Sequence, residues 1–141
     1  MSRRKLLRKI ISPPTIKGIT VFGPNRKRSE KIRLFLEEYE TIRLLDFENM
    51  TQEEASVHME VSRPTLTRIY ENARKKVAYS LVEGIDMVIS GGEYLFDESW
   101  YRCESCKANF NIFEDAENCC PVCKTTNIIS LNEYYSSQLP F

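Results

Sequence analysis

Histidine occurs once in this chain, at position 58. No Ser/His/Asp arrangement, phosphate-binding loop or paired-carboxylate site accompanies it, so acid–base and nucleophilic catalysis have few carriers. No enzyme is expected, and His58 reads as a helix-surface residue rather than a metal ligand. Long hydrophobic runs are also missing: none approaches the roughly 18–20 residues that span a bilayer, so no membrane partner is expected. The N-terminal stretch MSRRKLLRKIIS is basic but lacks a long apolar core and a small-residue cleavage site. That pattern argues against a signal peptide and for a cytoplasmic protein. Cysteine is absent from the first 102 residues, then occurs five times between 103 and 123. An odd count in a cytoplasmic setting disfavours disulfides and points to metal ligation.

Net charge is absent too, at +0, but only as a sum. Residues 1–33 carry +10 and residues 61–84 carry +3, against −7 over 34–60 and −6 over 85–141. Local fields, not the total, decide whether nucleic acid is attracted. The prolines of Pro13-Pro14 and Gly23-Pro24 resist helix through the first block. It therefore reads as a basic arm, residues 1–33, with Arg3, Arg4 and Lys5 available to phosphates or a minor groove.

The second block, residues 34–94, reads as helical. Leu36, Tyr39, Ile42 and Leu45 form an apolar stripe among Glu37, Glu38, Glu40 and Arg43, the pattern of a supporting helix set behind any DNA-reading surface. Thr51-Gln52-Glu53-Glu54 is a capping box that starts a second helix. Ala55 supplies the small residue a close helix crossing needs, with Val57 and Met59 as expected core positions. Ser62 then caps a third helix with Pro64 in its first turn, and Val61 and Leu66 make a hydrophobic staple. Leu66, Ile69, Ala73, Val77 and Leu81 share one face of it. Pro64, Arg68, Glu71 and Lys75 share the opposite face, flanked by Thr65, Thr67 and Asn72. The helix is expected to end at Gly84, with a short strand and turn following at Met87–Gly92.

Thr51-x-Glu53-Glu54-Ala55, Val61-Ser62-Arg63-x-Thr65-Leu66 and Ala73-Arg74-Lys75-Lys76 together resemble the region-4 helix-turn-helix of bacterial sigma factors. With EEYETIRLLD at 37–46, ARKKVAYSLVEG and GGEY added, residues 12–94 more closely resemble an uncharacterised prokaryotic family of small DNA-binding proteins with a sigma-region-4-like domain. The resemblance implies a mainly α protein with a three-helix core of winged-helix or homeodomain-like kind. It also implies double-stranded DNA as partner and a role in transcription regulation. It places Arg63, Pro64, Thr65, Thr67 and Arg68 at the major groove, and Arg74, Lys75 and Lys76 at the phosphate backbone; Asn72, flanking the same polar face, is a further candidate DNA contact. Where many such motifs carry a glycine in the turn, this chain has Met59-Glu60, so a side-chain-bearing residue would have to take any left-handed backbone.

The third block, residues 95–141, holds Cys103-x-x-Cys106 and Cys120-x-x-Cys123. Two such knuckles supply four thiolates to a tetrahedral metal, and the flanking YRC, NFNIF and NIISL alternate as short strands, so the block resembles a β zinc ribbon. Zinc is the expected metal, with iron not excluded by spacing. Cys119 is read as a spare, with replacement of Cys120 as the alternative. Lys107 and Lys124 stand where knuckles usually carry glycine. Functional alternatives are a metal- or redox-responsive protein built around the cysteines, and a module that contacts RNA polymerase. A homodimer is compatible with a single helix-turn-helix per chain.

Overall fold

The computed structural model describes residues 7–24 and 27–137, with Arg28 described by its backbone alone. Arg3, Arg4 and Lys5 lie outside the described residues. The chain divides into two units between Tyr94 and Leu95.

Local capping sets the helices of the first unit. Helix α1 spans Leu36–Ile42 and runs on into a wider turn over Arg43–Phe47, where the Glu48 N–H reaches the Arg43 carbonyl five residues back at 2.9 Å. Helix α2 spans Gln52–Met59. Thr51 Oγ1 accepts from the Glu54 N–H at 3.1 Å, and Glu54 Oε1 accepts from the Thr51 N–H at 3.4 Å, which satisfies two of the donors a helix start leaves over. The turn that follows puts Glu60 in the left-handed region at φ 56°. Helix α3, Arg63–Glu83, starts on Ser62, whose hydroxyl accepts from the Thr65 N–H at 3.3 Å, and stops where Gly84 turns left-handed at φ 68°. Leu44, Ala55, Met59 and Leu66 form the core beneath these helices, with Ile11, Leu45, Met50 and Val61 packed on it.

Two apolar assignments need correcting. Val57 is exposed, because α2 buries Ala55, Ser56 and Met59 instead. The α3 stripe holds through Leu66, Ile69 and Ala73 but then drifts: Ser80 is buried, with its hydroxyl on the Ile85 carbonyl at 2.5 Å, and Leu81 is 80% exposed. The supporting helix is also less simple than its apolar stripe. It buries Glu37, Glu38 and Glu40, each with a backbone N–H to accept: Glu93 at 2.9 Å, Phe35 at 2.8 Å and Ile11 at 2.6 Å respectively. Buried carboxylates survive because such donors replace water.

The expectation of a mainly α fold is wrong: the described residues hold four helices and eight strands in three small sheets. Most of the difference lies in the segment read as an arm. It supplies β1 (Arg8–Ile10), β2 (Gly18–Ile19) and most of β3 (Lys27–Leu34). Strand β4, Ile85–Ile89, runs between β2 and β3, antiparallel to the first (Gly18 opposite Val88) and parallel to the second (Ile32 opposite Met87). Its Ile85, Met87 and Ile89 are buried in alternation, the period-2 burial of a half-covered strand. The physical reason for the misreading is that β3, KRSEKIRL, lacks a period-2 apolar pattern of its own; pairing with β4 makes it a strand. The first unit closes with the Arg8 N–H on the Glu93 carbonyl at 3.0 Å and the start of β5, Tyr94–Phe96.

The second unit centres on β6 (Trp100–Cys103), flanked antiparallel by β7 (Asn109–Asn111) and β8 (Ile128–Ser130). Helix α4, Leu131–Ser136, follows β8. The Asn132 side chain fastens it, accepting from the Phe96 N–H at 2.8 Å and donating to the Phe96 carbonyl at 2.9 Å. Arg102 lies over the Tyr134 ring at 4.4 Å.

Candidate metal centre and nucleic-acid interface

Two knuckles of the same backbone design meet in the second unit. In the first, the Cys103 N–H bonds the Ala108 carbonyl at 2.8 Å and the Lys107 N–H bonds the Cys103 carbonyl at 3.0 Å. In the second, the Cys120 N–H bonds the Thr125 carbonyl at 2.9 Å and the Lys124 N–H bonds the Cys120 carbonyl at 2.9 Å. Lys107 and Lys124 occupy the left-handed positions, at φ 68° and 64°, where glycine would carry no Cβ penalty. Backbone N–H groups aim at the sulfurs: Cys106 on Cys103 Sγ at 3.3 Å and Val122 on Cys120 Sγ at 3.4 Å. Across the pair, Cys103 Sγ and Cys123 Sγ are 3.5 Å apart, as are Cys106 Sγ and Cys120 Sγ. All four sulfurs lie within 4.8 Å of one another and could hold a metal ion. A tetrahedral metal with sulfurs at about 2.3 Å needs them about 3.8 Å apart, so the set fits such a group.

The same N–H groups tune the thiols. Cys103 is pulled down to about 6, first by the Cys106 N–H. Cys106 is pulled down by the Ala108 N–H, but burial and the neighbouring thiols outweigh it and push it up to about 12. Cys120 is lowered: burial raises it, and the Cys123 and Val122 N–H groups outweigh that. Cys119 stays apart, with its sulfur 3.8 Å from Glu117 Oε2.

In the first unit, α3 presents the expected basic face only in part. Arg63, Pro64, Arg68, Asn72, Arg74 and Lys75 are exposed. Thr65 is half-buried in the cap, where its Oγ1 accepts from the Ser62 hydroxyl at 2.9 Å. Thr67 is turned to α2, donating to Gln52 Oε1 at 2.6 Å. Lys76 is turned inward: its Nζ meets Glu38 Oε1 at 2.6 Å and sits 3.8 Å from the centre of the Phe35 ring. Its charge is committed to that pair, so Lys76 does not belong to the outward surface. Arg74 lies over the Tyr70 ring at 5.4 Å, and the Tyr70 hydroxyl donates to Asp46 at 2.9 Å. Sequence reasoning missed Gln52 and Glu38 as the partners of Thr67 and Lys76. Nothing in the local pattern marks contacts 15 and 38 residues apart.

With this geometry the chain can be set beside known proteins. The family model described as "Protein of unknown function DUF134" matches residues 1–97. The chain belongs to the DUF134 family. It is 38% identical over 134 residues to a UPF0251 protein of Clostridium novyi, covering 94% of this chain and 91% of that one. A UPF0251 protein of Clostridium acetobutylicum is 36% identical over 130 residues, covering 92% and 91%. One from Methanothermobacter thermautotrophicus is 33% identical over 129 residues, covering 91% and 67%, so the DUF134 match extends to archaea. No solved structure matches the chain. The DUF134 match takes in the whole first unit and stops before the cysteine knuckles. No helix among the described residues is long and apolar enough to cross a membrane.

Proposed function

We propose that the protein is a sequence-specific DNA-binding protein acting in transcription regulation, with the N-terminal half of α3 laid in the major groove. One observation carries this reading. Pro64, Arg68 and Asn72 project from one exposed face while Leu66, Ile69 and Ala73 lock the opposite face into the core. A rigid helix with a fixed outward face is what direct readout requires. Arg68 reads a guanine edge through its planar fork, with Arg63, Pro64, Thr65 and Asn72 around it. Arg74 and Lys75 take phosphates, which position the helix without specifying sequence. Gln52, held by Thr67, keeps an amide nitrogen for a phosphate at the start of α2. In the second unit the metal is zinc in a structural role, because four thiolates fill a tetrahedral shell and leave no open position for catalysis.

The test is binding of the full, metal-loaded chain to duplex DNA as salt is raised. The expected affinity falls log-linearly, by about 0.9 decade per decade of salt for each phosphate engaged. A flat response, or no binding at low salt, refutes the reading. Elemental analysis is expected to give one zinc per chain; a red iron-loaded protein overturns the zinc assignment.

A further inference from the structure

Three side chains meet at Tyr70. Its hydroxyl donates to both oxygens of Asp46, at 2.9 and 3.1 Å, and the Arg74 guanidinium lies over its ring at 5.4 Å. Asp46 stands in the wide turn Arg43–Phe47 that ends α1, and wide turns of this kind recur at functional sites. Tyr70 and Arg74 are four residues apart on α3, the spacing that sets one side chain against the next. Asp46 ties down the polar end of the ring through a charge-assisted bond, and the ring face attracts the cation beside it. Arg74 is exposed, and among the described residues no carboxylate pairs with it. At about 100° per residue, Arg74 lies about 20° around the helix from Thr67, the residue that holds Gln52, and about 120° from Arg68. Arg74 and Gln52 thus share one flank of the reading helix.

We propose that Asp46 and Tyr70 are positioning residues that hold the Arg74 guanidinium ready for a backbone phosphate; this role rests on the DNA-binding reading. A free arginine on a helix surface gives up its rotamer freedom when it binds. Set against a ring that is itself fixed, Arg74 has given up part of that freedom beforehand. A guanidinium stacked by its face keeps the N–H groups of its edge for phosphate. An acid close to a phosphate site repels DNA, so charge alone gives Asp46 no use on this flank. The hydroxyl it holds does.

Binding of the full, metal-loaded chain to random duplex DNA over a salt series tests this. Asp46→Asn and Asp46→Ala remove the same charge, but only the first keeps an acceptor for Tyr70. Asp46→Asn is expected to bind at least as tightly as wild type, with the same salt slope. Asp46→Ala is expected to bind about two- to fivefold more weakly, the worth of an exposed cation–π contact. Its salt slope should fall toward that of Arg74→Ala, which loses about 0.9 for one phosphate. In a Tyr70→Leu background the two Asp46 variants should bind alike. A loss of folded protein would lower the active fraction and leave the slope unchanged, which separates positioning from folding. In the free protein, the Tyr70 ring current is expected to shift the Arg74 Cδ protons upfield in wild type and Asp46→Asn, and less in Asp46→Ala. Equal binding by Asp46→Asn and Asp46→Ala with Tyr70 intact overturns the proposal, as does an unchanged salt slope in Arg74→Ala. A wild type that binds no DNA overturns the DNA reading itself, so the two fail by different results.

Discussion

Lys75 and Lys76 are adjacent in sequence and opposite in environment. Lys75 is exposed, whereas the Lys76 side chain is 28% exposed against a Glu38 that is only 5% exposed. Removing one partner of a largely buried pair strands the other charge. Lys76→Ala is therefore expected to cost about 1–3 kcal/mol in urea unfolding, after discounting for its partial exposure. Its DNA affinity per folded molecule should stay within about twofold of wild type. Lys75→Ala is expected to show the reverse: unchanged stability and weaker binding to every sequence. Equal effects of the two substitutions on binding would contradict the placement of Lys76. Glu37 offers a test in pH. Burial pushes its carboxyl up, against the pull of the Glu93 N–H and Arg8, and its Oε1 has no hydrogen-bond partner among the described residues. The folded state therefore holds this proton more tightly than the unfolded chain does, where the pKa is about 4.3. The stabilisation is complete below that value and is lost as pH rises through the raised one. Glu37→Gln cannot ionise, so its stability relative to wild type is expected to improve between pH 4 and pH 7. A difference that stays constant across that range would exclude the buried-carboxyl account.

At the scale of elements, what could be read from sequence was local, and what could not was long-range. The caps at Thr51 and Ser62, Pro64 in the first turn and Gly84 at the stop act within four residues, so sequence alone marks α2 and α3. The two knuckles are equally local, with each turn closed between residues no more than five apart. The β2–β4–β3 sheet is different, because β3 and β4 are separated by all three helices of the unit and Lys31 lies opposite Asp86. A lysine-rich strand with few apolar residues carries no visible signal until its partner is known. The Val57 and Leu81 assignments failed for a related reason: helical periodicity finds a face, but which elements cover that face is decided elsewhere in the chain. Gln52 and Thr67 join α2 to α3 through a single side-chain bond. Thr67→Ala is expected to lower the melting temperature by a few degrees, corresponding to about 1 kcal/mol, without changing helix content. An unchanged melting temperature would show that the bond fastens nothing.

At the scale of the molecule, the two units have different sources of stability. The first has a core of Leu44, Ala55, Met59 and Leu66. The second has few buried residues besides Cys103, Phe110 and Cys120, and a unit that small needs a staple. A metal bound by the four cysteines would contribute its binding free energy to folding. A strong chelator is expected to abolish the near-ultraviolet signal of Trp100 while the helical signal of α3 persists. Loss of both together would show that the first unit depends on the metal too. The proposed role of the molecule rests on α3 reading sequence through Arg68. Selection from a random duplex pool tests it most directly, with wild type and Arg68→Ala compared at one salt concentration. Wild type is expected to enrich a defined motif. Arg68→Ala is expected to lose preference at one base position, about 1–3 kcal/mol of discrimination, while keeping its affinity for random DNA. An identical motif from both proteins, or no motif from wild type, would exclude base reading by Arg68.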